Sequence, residues 1–256
     1  MKKSQLLPSL SLFALLCSSP TWAGSPPAPF RCDIMKPALT AGKLSSCNDK
    51  VSWQYGLDDI RKTNPALFER TVQAQIAANS NVGSAIFTLP DGKKKTIYRS
   101  SFLNKAPGCI NELVEKGGVR SVVNLYNKGD LDSHTQLSIE EKEHFQKAGA
   151  QIYTDVLNYQ YKFKEVKKEK IIEKVAEIIS VVKSVPGNVL MHCYGGMHRT
   201  GLVFAVMQKC FNKVPLEQVL NEYHCHVAYE SEEKAGGRHK DNEELIRDYP
   251  CEKLSK

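Results

Sequence analysis

The chain has 256 residues, a mass of 28.6 kDa, 41% hydrophobic and 25% charged residues, and a formal charge of +7. That balance is ordinary globular usage and excludes a disordered or collagen-like chain, and the length is enough for a full core without staples. No apolar run reaches the roughly 18 residues of a membrane span, and the positive charge is too diffuse to indicate nucleic acid.

Lys2 and Lys3, an apolar stretch over Leu6–Cys17 and the small residues of Thr21-Trp22-Ala23 have the layout of a secretory signal peptide, expected to be removed before Gly24. The expected destination is secreted or periplasmic. Leu16 is too bulky for a lipoprotein anchor at Cys17. Removing 1–23 lowers the charge by two and leaves seven of the eight cysteines. An odd number in an oxidising compartment points to one free thiol and up to three disulfides, in any of 15 connectivities. Cys32–Cys47 is a plausible pair because it would close a short loop.

Residues 24–80 read as an N-terminal arm, Pro- and Ser-rich at first and helix-like from Asp58 to Asn79; residues 81–256 read as the main domain. Two strands, Ser84–Leu89 and Lys95–Arg99, flank the turn Pro90-Asp91-Gly92. A helix over Ile110–Lys116 stops at Gly117-Gly118, and Val119–Leu125 is a buried strand. Ser138 with Glu141 predicts a capping box opening a helix over 139–148, followed by a strand over Gln151–Leu157. In Lys167–Lys183 the residues Ile171, Ile172, Val175, Ile178, Ile179 and Val182 make one apolar helix face. Asn188–His192 is a short buried strand, and Thr200–Phe211 is apolar nearly all round and predicts a central helix. Pro215 is placed to open a helix running to Tyr223. Such alternation predicts an α/β fold with a central mixed, mainly parallel sheet flanked by helices.

The chemistry concentrates in His192-Cys193-Tyr194-Gly195-Gly196-Met197-His198-Arg199-Thr200-Gly201, between a buried strand and a buried helix. A loop there can turn its N–H groups inward, and the following helix aims its positive end at the same point. Tyr194, Gly195, Gly196, Met197, His198 and Arg199 are therefore the candidate phosphate-binding residues. Arg199 offers a planar fork to two phosphate oxygens. Cys193 is the candidate nucleophile, held as a thiolate by the same positive field, and Thr200 is placed to help the sulfur leave. The absence of Lys-Ser/Thr after the second glycine excludes a Walker loop.

The Cys-x5-Arg-Thr-Gly motif after Val189-Leu190-Met191-His192 resembles the cysteine-dependent protein tyrosine and dual-specificity phosphatases. Ile97-Tyr98-Arg99-Ser100-Ser101, Val119–Leu125, the Gly196–Gly201 loop and Glu222-Tyr223 resemble the atypical dual-specificity group of plants and fungi, over roughly residues 95–250. The resemblance implies a phosphotyrosine-phosphatase-like fold and a metal-free, cofactor-free phosphatase. Its implied partners are inositol phosphates, pyrophosphates or phosphoproteins. Met197 stands where that group carries Lys. The family's acidic loop here reads Asn158–Glu165 and has no Asp, so Asp155 is the tentative general acid, with Glu165, Asp130 and Asp132 as alternatives. An exported tyrosine phosphatase and a module that only binds phosphorylated ligands remain open alternatives.

His224-Cys225-His226, with His239 and Cys251, is read as structural rather than metal-binding, because residues i and i+2 do not share a helix face. Lys162, Lys164, Lys167, Lys168 and Lys170 read mostly as a solvated helix face, with the first two near enough to lean over the anion site, and Arg238-His239-Lys240 reads as a surface loop, with a substrate-recruiting patch as the alternative.

Overall fold

The computed structural model describes residues 44, 46, 47, 63, 64, 81–104, 106–126, 132–156, 166–227 and 238–254. Its strands are β1 (Gly83–Thr88), β2 (Lys94–Ser100), β3 (Val119–Asn124), β4 (Ile152–Asp155) and β5 (Asn188–His192). Its helices are α1 (Pro107–Glu115), α2 (Asp132–Ala148), α3 (Lys168–Ser184), α4 (His198–Cys210), α5 (Leu216–Val227) and α6 (Arg238–Asp248), with a 3-10 turn over Cys251–Leu254. The sheet order is β1-β2-β5-β3-β4. Among the described strands only the β1–β2 pair is antiparallel, so the sheet is mixed and mainly parallel, as the alternation predicts.

Both faces of the sheet are covered, and the pleat divides the strand residues between two cores. Ile97, Val123, Val189 and Met191 join α3 and α4 in the larger core, while Tyr98, Val122 and Leu190 join α1 and Phe145 of α2 in the smaller. α4 is buried along most of its length, including Leu202, Val203, Phe204 and Val206. The register aligns Ser100 with His192, His192 with Asn124, and Asn124 with Asp155. These four residues form one row at the carboxyl ends of the parallel strands, the edge where open α/β sheets bind ligands.

The structure corrects several expectations. Helix α1 begins at Pro107, which needs no amide partner in a first turn, rather than at Ile110. Helix α2 begins at Asp132, so Ser138 lies in its interior and caps nothing. Glu141 instead turns inward and is wholly buried. Its carboxylate accepts from the Leu103 N–H and the Tyr153 hydroxyl at 2.6 Å each, and lies 2.9 Å from His192 Nε2. Three buried partners outweigh one exposed cap. Pro215 precedes α5 and accepts from Val219 N–H, and the helix continues to Val227. Arg238-His239-Lys240 is the first turn of α6, not a loop, and His239 is buried.

Cys47 pairs with Cys109, not with Cys32, and Cys210 pairs with Cys251. The Cys47 bridge docks the short described piece of the arm onto α1, where Ser46 N–H also donates to Glu112. Most of the helix-like stretch Asp58–Asn79 lies outside the described residues. No helix among the described residues is long and apolar enough to cross a membrane.

Candidate active site

Strand β5 ends at His192, and the chain enters the loop at Cys193 beside Ser100 and Asn124 of the neighbouring strands. Cys193 is buried and is the free cysteine among the described residues. The other cysteines whose side chains are described are in disulfides. The free thiol is therefore the one that the motif selects.

The loop curls against the turn after β2. Gly196 has φ +66°, and a Cβ there would come within 2.4 Å of the Ser100 carbonyl oxygen, so only glycine fits. At Gly195 an added Cβ would meet only the flexible end of Met197. Met197 caps α4 and His198 begins it, which sets the positive end of a buried helix behind the loop. Thr200 is fully buried in the first turn, and its Oγ1 has no hydrogen-bond partner among the described residues.

Arg199 is half-buried. Its Nη1 donates to the Leu125 carbonyl at 3.1 Å, and its guanidinium lies 5.3 Å from the Tyr126 ring centre. Both contacts come from the turn after β3, whose shape depends on Asn124. The fully buried Asn124 accepts from Tyr126 N–H and donates to Asp155 at 2.7 Å and Ser138 at 3.2 Å. Beside the loop, the Tyr194 and Tyr126 rings stand 5.2 Å apart, and Phe102 packs edge-on against both Tyr126 and His192. Tyr194 is 47% exposed and forms an open aromatic lip.

Asp155 ends β4, two strands away from β5, and is anchored to Asn124. At about 4.8 Å per strand it lies roughly 10 Å along the row from His192. Lys162, Lys164, Glu165 and Asp130 lie outside the described residues, as does the side chain of Asp132. The candidate metal residues have separate contacts: His224 lies 2.8 Å from Glu243, His226 bonds Asn81, and the His239 ring lies 5.2 Å from that of His198.

Sequence reasoning assigned no role to Arg99. It is 1% exposed, donates to the Gly196 carbonyl at 2.7 Å and lies over the Phe204 ring. Burial raises the Glu222 carboxyl, an effect that the Arg99 charge and a bond from Gln208 oppose. A charged residue at a fully buried strand position was the available signal.

A free thiol at the base of a glycine loop, a helix start behind it and an arginine beside it define a cysteine-dependent phosphatase. Residues 90–253 match the model of the tyrosine phosphatase family, and the chain belongs to that family. No curated protein matches. Among solved structures, the core catalytic domain of the PP-IP phosphatase SIW14 from S. cerevisiae, in complex with citrate, is 18% identical with a TM-score of 0.47, covering 69% of this chain and 89% of that one. TpbA from P. aeruginosa is 19% identical with a TM-score of 0.41, covering 62% and 83%.

Proposed function

We propose that this phosphatase is exported and hydrolyses phosphate monoesters or phosphoanhydrides through a phosphocysteine intermediate. The observation that carries the reading is the one free, buried thiol among the described residues, at the start of the Gly195-Gly196 loop. Cys193 Sγ attacks phosphorus while the bond to the leaving oxygen breaks. Asp155 gives that oxygen its proton. Loop N–H groups and Arg199 hold the equatorial oxygens, where charge gathers in the transition state. Water then attacks phosphorus, the P–S bond breaks, the thiolate returns, and the Asp155 carboxylate takes the proton from water.

Substrates in this reading are inositol phosphates or phosphoproteins. The lip of Tyr194 and Tyr126 favours a flat aromatic group beside the phosphate, which supports phosphotyrosyl protein as a second reading within the same mechanism. Two disulfides beside one thiol support an oxidising compartment, in line with the signal-like N-terminus.

Acid quenching during turnover should leave one phosphoryl group on the Cys193 peptide, found by mass spectrometry and missing in Cys193→Ser. Turnover by the Ser variant at more than about a hundredth of the wild-type rate overturns the covalent route. A panel of inositol phosphates, phosphotyrosyl peptides and an aryl phosphate ranks the substrates. Exported protein should begin at Gly24, and retention in the cytosol with reduced cysteines overturns the compartment.

A further inference from the structure

Each peptide group points its N–H and C=O in opposite directions. A loop that turns its N–H groups toward one anion must therefore turn its carbonyls into the protein, where each needs a donor. The Tyr194 carbonyl accepts from Phe102 N–H at 3.0 Å, and the Met197 carbonyl accepts from Gly201 N–H at 2.9 Å. The two between them are held by side chains. Gly196 O accepts from Arg99, and Gly195 O accepts from Asn81 Nδ2 at 2.8 Å. Glycine peptides have the most backbone freedom, so these two side chains decide which way the centre of the loop faces.

We propose that Asn81, oriented by His226, is a positioning residue that holds the Gly195–Gly196 peptide with its N–H toward the phosphate. Asn81 is 1% exposed and precedes β1, outside the 90–253 stretch matched by the family. Its backbone has φ 45°, a conformation that Asn tolerates better than most residues. Asn81 Oδ1 lies 2.7 Å from His226 Nδ1, in the last turn of α5. An Asn oxygen only accepts, so the ring nitrogen carries the proton and donates. This fixes the amide with its NH2 toward Gly195 O and, at 3.4 Å, toward His226 O. The ring is itself confined: a Cβ on Gly83 would meet it at 3.1 Å. Burial and the nearby Arg99 charge keep it neutral, with its pKa well below the ordinary value. A flipped Gly195–Gly196 peptide would present a carbonyl oxygen to the anion and remove one N–H from it.

The test uses Asn81→Asp, which keeps the shape and the acceptor for His226 but loses the donor, together with Asn81→Ala and His226→Leu. It rests on the phosphatase chemistry above. Wild-type turnover of an aryl phosphate tests that chemistry, and the change from wild type to variant tests the positioning role. Asn81→Asp and Asn81→Ala should each lower kcat by roughly ten- to a hundred-fold with little change in KM. Affinity for orthovanadate, which takes the transition-state geometry, should fall by a similar factor. Affinity for inorganic phosphate should change less than about threefold. His226→Leu should cost about three- to tenfold alone and nothing further in the Asn81→Ala background. The role is overturned if kcat in a folded Asn81 variant stays within about threefold of wild type. It is also overturned if vanadate and phosphate weaken equally with a falling unfolding midpoint. If neither Asn81 variant folds, an unchanged kcat in His226→Leu overturns the relay, and the stated loss with the vanadate–phosphate split supports it.

Discussion

The two ends of α4 are built from the same residue types and put them to opposite uses. At the N-terminal end a cysteine is kept as a thiol, the neighbouring carbonyls are turned away, and Arg199 faces the helix's positive end. At the C-terminal end Cys210 is locked in a disulfide to Cys251. Lys209 Nζ there donates to the carbonyls of Ile246, Arg247 and Tyr249 at the end of α6. Lys95 does the same for Val182, Lys183 and Val185 at the end of α3. The 13 residues of α4, at about 1.5 Å each, separate the two regions by roughly 20 Å. One end preserves positive field and an unpaired nucleophile, while the other removes loose ends. A lysine at a carbonyl terminus offsets the helix's negative end, whereas an arginine at the amide terminus adds to the positive one and is tolerated because an anion is to bind there.

Substitutions can break this contrast one end at a time. The largest effect should be at the thiol end. Cys193→Ser should remove turnover while the unfolding midpoint stays within a few degrees, and Arg199→Lys should cost roughly 10²–10³-fold in kcat because a point charge cannot replace the fork. An active Arg199→Lys enzyme would show that the guanidinium does not clasp the phosphate.

Asp155→Asn should lower rates on alkyl phosphates by about 10²–10⁴-fold and on aryl phosphates less, and should remove the alkaline limb of the pH–rate profile. If rate and profile both persist, the bond from Asn124 is structural and Asp155 is not the acid.

The far end should behave in the opposite sense. Cys210→Ser with Cys251→Ser should lower stability by about 2–4 kcal/mol, measured by denaturant unfolding, with kcat within about twofold of wild type. A large kcat loss there would mean that the two ends of α4 are coupled.

The smallest effect is in pH. His226 is held below its ordinary pKa by burial and by Arg99, so on acidification the unfolded chain takes up a proton that the folded chain refuses. Its contribution to stability is present above about pH 6.5 and is lost as pH falls below it, by up to about 1.4 kcal/mol per pH unit. Glu222, raised by burial, acts in the reverse direction near the carboxylate range: its folded form binds the extra proton, so stability falls as pH rises through that window. His226→Leu should flatten the slope between about pH 6.5 and 5, and an unchanged slope would place the titration elsewhere.

The sequence by itself determined the parts whose causes are local. The short continuous buried runs of β2, β3 and β5, the single apolar face of α3 and the glycine–arginine spacing after Cys193 each depend on residues close together in the chain. Local spacing is what backbone periodicity and loop curvature respond to. Selecting the free thiol needed only the motif. Tertiary structure alone decided the partners. Cys47 and Cys109 are 62 residues apart, Asn81 and Gly195 are 114 apart, and Arg99 reaches a carbonyl 97 residues on. Glu141 reads locally as a cap, yet it became a buried acceptor because His192, Tyr153 and Leu103 converge on it only once the sheet has formed. Buried polar groups must be satisfied by whatever the fold brings near, and that proximity leaves no periodic trace in the chain.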